Sequence, residues 1–144
     1  MMISLTSLSL LLLLSTFGDM EKPGPDLQDK SIEEIAILIN HEVGNAEADD
    51  VGQCNIIPIG VKPAGGPWGF LVYSSKNTDT EYLKTLVERY NKLDSERNIE
   101  EGGLSTGDYA LEPELEIVRG ECRGVGLYAW NPGYILEFND IKIR

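Results

Sequence analysis

Residues 54–75 read CNIIPIGVKPAGGPWGFLVYSS, and this run constrains the fold more than any other. Ile56, Ile57, Ile59 and Val61 predict a short buried strand that tolerates Pro58. Residues 63–67 carry Pro63, Gly65, Gly66 and Pro67. Such a segment cannot extend a ladder of backbone hydrogen bonds, so it must turn or loop. Trp68 to Tyr73 then predicts a second strand, and the unbroken Phe70-Leu71-Val72 run calls for cover on both of its faces. Two strands joined by a proline-stiffened loop therefore form the unit that the rest of the chain has to enclose.

Two helical patterns supply cover. Ser31 and Glu34 have capping-box spacing, and Ile32, Ile35, Ala36, Ile39 and Val43 fall on one helical face that Gly44 ends. A second box is predicted at Thr78 and Glu81. Leu83, Leu86, Val87, Tyr90 and Leu93 follow as an apolar stripe, with Lys84, Glu88, Arg89 and Lys92 outward. This helix is expected to fray over 97–101 and to stop at Gly102-Gly103. Residues 45–53 read as an acidic linker and 104–113 as irregular. Glu114 to Val118 alternates apolar and acidic residues like a half-exposed strand, and Arg119-Gly120 turns the chain toward Cys122. Residues 127–130 and 134–138, joined by Asn131-Pro132-Gly133, read as a hairpin, with Ile141 and Ile143 at the sheet edge. The expected class is α+β: a small, mainly antiparallel sheet with one or two packed helices and a single disulfide. The apolar fraction of 42% suffices for such a core.

The N-terminus contains no charged residue before Asp19, and residues 8–14 are almost pure leucine. That block is short for a bilayer span and suits the apolar region of a signal peptide, with Thr16 and Gly18 placed for a cut before Asp19. An uncleaved anchor and a buried core helix are the alternatives. The expected organisation is a signal peptide over 1–18, a leader with a short amphipathic helix over 19–53, and a compact domain over 54–144. Export would place the two cysteines, Cys54 and Cys122, where an even count favours pairing; two buried free thiols are the other reading. A bridge closing so long a loop contributes about 4 kcal/mol in the chain-entropy model.

The net charge of −12 argues against a phosphate backbone or an anionic membrane as partner. Two distant cysteines and the lone His41 make neither a zinc site nor a thiol–imidazole pair, so no metal and no cofactor is expected. Glu114 and Glu116 share a strand face, as catalytic carboxylates or as a solvated edge would. Asn77, Asp79 and Glu81 lack the central Gly and closing Glu of a calcium loop. The glycine runs match neither nucleotide fingerprint.

Around Cys54, the Gly60-Val61-Lys62-Pro63 and Gly65-Gly66-Pro67-Trp68 runs and Leu71-Val72-Tyr73-Ser74-Ser75, the sequence resembles a family of small exported bacterial proteins, many of them lipoproteins, of uncharacterised function. The likeness continues through Leu86, Val87, Tyr90, Asn91 and Leu93 and ends near Cys122. It implies export and a cysteine framework, and no reaction. It also implies cysteines in relatives where this chain has Ala64 and Thr106. Their joint absence is as expected if those two positions bridge each other and Cys54–Cys122 is a separate pair. Residues 31–43 and 124–144 lie outside the resemblance.

The remaining candidate is a surface. Trp68 and Trp130 sit in or beside Gly/Pro loops, near Lys62, Tyr73, Tyr128 and Tyr134, and aromatic side chains on loops are enriched at recognition sites. Core anchoring of the sheet is the favoured reading for each Trp by itself, and a shared aromatic binding face is the functional one. The sequence therefore points to an exported, non-catalytic binding or envelope-associated protein. Its partner would be an unidentified protein or small ligand, with no nucleic acid and no stable membrane insertion once the signal is removed. One alternative is an inhibitor of a secreted hydrolase acting through the loop from Lys62 to Trp68; another is a small enzyme.

Overall fold

The computed structural model describes residues 24–142, with side chains through residue 140. The signal peptide expected over 1–18, its cut site, the first residues of the leader and Ile143 lie outside the described residues. The fold is α+β. Helix α1 (Ile32–Val43) precedes strands β1 (Cys54–Ile59) and β2 (Gly69–Ser74), helix α2 (Thr80–Glu101), strands β3 (Glu114–Val118), β4 (Glu121–Val125) and β5 (Ala129–Trp130), and helix α3 (Tyr134–Lys142). β1 and β2 pair antiparallel, from Cys54 opposite Ser74 to Ile59 opposite Gly69. β5 adds to the other edge of β2 in parallel, with Leu71 opposite Trp130. β3 and β4 form a separate antiparallel ribbon.

β2 is the centre of the molecule, and all six of its residues are buried. Side chains alternate across a strand, so Leu71 and Tyr73 share one face and Phe70 and Val72 the other. α1 and α2 pack together and contact the sheet, while the ribbon meets β1 and β2 through β3 and β4. The cover that the Phe70-Leu71-Val72 run demands is thus supplied by different elements. Pro58 is tolerated because β1 is an edge strand, where its missing N–H removes no ladder bond; its side chain is exposed.

The disulfide Cys54–Cys122 is formed, with 5.5 Å between the Cα atoms. It joins the first residue of β1 to β4 and so staples the sheet to the ribbon.

α1 forms as the spacing predicts. Ser31 Oγ accepts from the Glu34 N–H, and Glu34 Oε2 accepts from the Ser31 N–H. Its five apolar-face residues join the same core as β2 and α2, so 31–53 is not a leader apart from the domain. Leu27 is also buried in that core, and Arg89 donates to the carbonyls of Leu27 and Gln28. Residues 45–53 are no loose linker either. The Ala48 N–H donates to Gly120 O and the Cys122 N–H to Ala46 O, which ties this stretch to the start of β4. The cap of α2 lies one residue beyond the expected box. Asp79 accepts from the Tyr82 N–H, while the Thr78 hydroxyl donates to Glu42 O. The helix continues unbroken to Glu101, where Gly102 closes it in the left-handed conformation.

The expected C-terminal hairpin does not form. Only Ala129 and Trp130 are strand, and they pair with β2 rather than with residues 134–138. Tyr134 to Phe138 lies in α3, so Ile141 sits in a helix and not at a sheet edge. Ile135 and Asn139 are buried at i and i+4, a helical period that a short apolar run conceals. Asn131 serves the ribbon: its carboxamide accepts from the Gly124 N–H and donates to Gly124 O.

Candidate functional site

The loop between β1 and β2 is held by one polar stripe of α2. Asn91, Asp94 and Asn98 recur at i, i+3 and i+7, and so face the same way. Asn91 Oδ1 accepts from the Gly60 N–H at 2.7 Å. Asp94 Oδ2 accepts from the Val61 N–H at 2.9 Å and from Trp68 Nε1 at 3.1 Å. Asn98 Nδ2 donates to Val61 O. The Asp94 carboxylate is fully buried, and its other oxygen takes Arg97 Nη2 at 2.8 Å. Both ends of the loop are therefore fixed by side chains of one helix. Between them, Pro63, Ala64, Gly65 and Gly66 are exposed.

Lys62 does not protrude. Its side chain is only 3% exposed, and Nζ donates to Asp108 O at 2.8 Å, with Asp108 Oδ1 at 3.4 Å. The ammonium lies 5.7 Å from the Trp68 ring centre and 5.8 Å from that of Tyr128, within cation–π range. The Tyr128 hydroxyl also donates to Asp108 Oδ2. Hydrogen bonds from Thr106 first, and Tyr128 next, hold the Asp108 carboxyl well below its ordinary value. The same hydrogen bond to Asp108 raises the Tyr128 phenol.

The proposed aromatic face assembles differently from expectation. Trp68, Trp130 and Tyr134 do converge, but around Phe138 of α3. Phe138 lies 4.5 Å from Trp130 and 6.1 Å from Trp68 between ring centres, and Trp130 meets Tyr134 edge-on at 5.3 Å. Trp130 is buried and stands over Gly69, where any Cβ would collide with its indole. Gly60 makes the same room for Trp68. Tyr73 is buried on β2 and does not belong to the cluster, whose ring contacts join Trp68, Trp130, Tyr134 and Phe138. Lys62, Tyr73 and Trp130 thus offer a ligand almost no surface; Trp68 is half-buried and Tyr134 exposed. Cys54 and Cys122 are the bridge and carry no free thiol.

What does reach the surface here is apolar and carries no pattern in the sequence. A groove of about 540 Å³ runs between the loop and the end of α2, lined by Val61, Lys62, Pro63, Asn98, Ile99 and Gly103 among others. Ile99 is 80% exposed on its wall, and Leu104, one residue beyond Gly103, is 95% exposed. Tyr109 (88%) and Leu127 (87%) each adjoin a member of the Asp108–Tyr128 contact, and Leu111 (71%) comes two residues after Tyr109. Residues 103–113 contain no helix or strand and pass over Lys62 as a strap. A period-based search cannot find these residues, because they share neither a helix face nor a strand face.

Glu114 and Glu116 are exposed on β3, His41 is exposed on α1, and Asp79 is the α2 cap. Among the described residues, no group of three His, Cys, Asp or Glu side chains could hold a metal ion. Nor is any helix among them long and apolar enough to cross a membrane. No protein-family model, curated protein or solved structure matches the chain.

Proposed function

We propose that this is an exported binding protein without catalytic activity, and that it captures an apolar peptide segment of a partner protein. The observation that carries the reading is a groove with a clamped wall and Ile99 exposed on it, with Leu104, Tyr109 and Leu127 exposed next in sequence to Gly103, Asp108 and Tyr128, which line the groove or contact its Lys62. Exposed apolar residues scattered singly mean little, whereas several around a concavity mark a recognition surface. The clamped loop lowers the ordering cost of binding. The net charge of −12 opposes nucleic acid as partner. The formed disulfide supports an oxidising compartment, secreted or periplasmic, and with it the export implied by the resemblance to small exported bacterial proteins.

Selection of displayed peptides on the oxidised protein tests the reading. The expected result is enrichment of one apolar motif whose binding is lost in the Ile99→Asp, Leu127→Asp double variant while the unfolding midpoint is kept. No enrichment, or enrichment that survives the double variant, overturns it. The intact mass of the exported protein, before and after reduction and alkylation, tests the compartment: a mass beginning at Asp19 with no free thiol is expected.

A second reading has its own support. The exposed tip at Pro63, Ala64, Gly65 and Gly66 stands on a base fixed by Asn91, Asp94 and Asn98, as a stiff inhibitory loop would. A panel of secreted proteases separates the two, since absence of inhibition at micromolar protein removes the inhibitor.

A further inference from the structure

Lys62 is an ammonium almost wholly withdrawn from water, and its anionic partner comes from the strap. A buried charge needs an opposite charge, and one stripped of its partner is strongly unfavourable. Here the partner, Asp108, is 45% exposed and sits in a segment without regular structure. Asp108 also ties the middle of the strap to the rest of the protein, through Lys62 and Tyr128. On either side of it the strap holds Leu104, Tyr109 and Leu111 out in solvent. A segment with so little apolar burial opens at low cost. What it uncovers is a cation flanked by two aromatic rings, at the edge of the groove that Lys62 itself lines.

We infer that Lys62, Trp68 and Tyr128 form a carboxylate-binding site, that Asp108 is its built-in occupant, and that a partner peptide supplies an Asp or Glu carboxylate in its place. The inference rests on the peptide-capture reading and adds to it the chemistry of the anchor. The partner's carboxylate takes the position of the Asp108 carboxylate, and its neighbouring apolar side chains lie in the groove. Tyr128 donates to the incoming anion as it does to Asp108. The strap competes with the ligand, so measured affinity is the intrinsic affinity reduced by the fraction of molecules in which the strap is lifted. Because the protein is otherwise strongly acidic, recruitment of an acidic peptide depends on this one sheltered cation.

The test uses the oxidised protein and two synthetic probes, N-acetyl-Leu-Leu-Asp-amide and its Asn counterpart, followed by tryptophan fluorescence. The expected result is that the Asp probe binds and the Asn probe does not. Asp108→Asn, which removes the internal anion and keeps the side-chain size, should tighten the Asp probe by about tenfold or more if the strap is closed in at least nine molecules of ten. Lys62→Met should abolish binding of the Asp probe in both backgrounds. The inference is overturned if Asp108→Asn binds the Asp probe no better than the parent, or if both probes bind equally. Equal binding leaves apolar capture standing and removes only the anchor. Should Asp108→Asn lower the unfolding midpoint, Thr106→Val is the second variant: it leaves Lys62, Trp68 and Tyr128 in place, removes a hydrogen bond that holds the Asp108 carboxylate, and should tighten the Asp probe more weakly. Failure of both variants to do so refutes the built-in occupant.

Discussion

Replacing Asp94 by alanine removes the acceptor on which the β1–β2 loop depends. The carboxylate is fully buried and receives the Val61 N–H at 2.9 Å, Trp68 Nε1 at 3.1 Å and Arg97 Nη2 at 2.8 Å. Truncating one member of a buried ion pair costs roughly 3–5 kcal/mol, because the other charge is left uncompensated. Arg97 retains 16% exposure and can recover some hydration, which favours the lower end for that part. The two neutral donors add about 1–3 kcal/mol each where they stay dry, and less where water enters the space left behind. These losses share one site and do not add, so a net loss of about 4 kcal/mol is expected. For a chain of this size that corresponds to a fall in Tm of roughly 12–16 °C. Asp94→Asn keeps one oxygen and loses the charge, and should fall about midway. Urea unfolding followed by tryptophan fluorescence and near-ultraviolet dichroism reads both, and Arg97→Met completes a double-mutant cycle. A coupling energy of at least about 1.5 kcal/mol is expected between residues 94 and 97. If Asp94→Ala stays within about 1 kcal/mol of the parent, the carboxylate does not clamp the loop and the groove has no rigid wall.

Replacing Cys54 and Cys122 together by serine should cost about 4 kcal/mol in urea unfolding, chiefly by freeing the unfolded chain; a loss under about 1 kcal/mol would contradict that account. Gly69→Ala places a methyl group against the Trp130 indole and should cost about 1–3 kcal/mol, with a changed near-ultraviolet tryptophan signal; an unchanged spectrum and midpoint would mean the indole has room to move. Asp108 titrates below the ordinary 3.8, so its contribution to holding the strap is present above that pH and is lost as pH falls through the lowered value. The methyl resonances of Leu104 and Leu111 should therefore hold constant from about pH 7 to about pH 5 and shift only below the ordinary carboxylate range; a transition near neutral pH would refute the assignment.

The parts of the fold carried by local chemistry are legible in the sequence. The Ser31–Glu34 box and the stripe from Ile32 to Val43 specify α1 with its ends, because a helix face repeats within its own few turns. The burial of β2 on both faces comes from Phe70, Leu71 and Val72 standing in a row. The C-terminal element reads wrongly as a strand because Tyr134 to Phe138 is too short for its apolar residues to distinguish period 2 from period 3.6. Asn131-Pro132-Gly133, an apparent hairpin turn, instead serves the ribbon through Gly124. The site is half legible. Trp68, Trp130 and Tyr134 do come together, but the contact that gathers them runs through Phe138, which carries no signal of its own when α3 is read as a strand. Lys62 looks like a loop tip, and only the return of the chain at Asp108, 46 residues later, buries it. Asp94 is hidden within a helix most of whose other charged residues face water.

The Cys54–Cys122 bridge encloses β2, α2, β3 and the whole strap within one covalent ring, while α1 and α3 lie outside it on opposite arms of the chain. Among the described residues, the strap is a long, largely exposed stretch without helix or strand, the kind of segment that proteases cut. A cut there opens the ring without dividing the molecule. Each half keeps one cysteine of the bridge and one of the two outer helices, and those helices pack against each other. A clipped protein would therefore migrate as a single species until reduced, and its strap could be trimmed without shedding either part of the core.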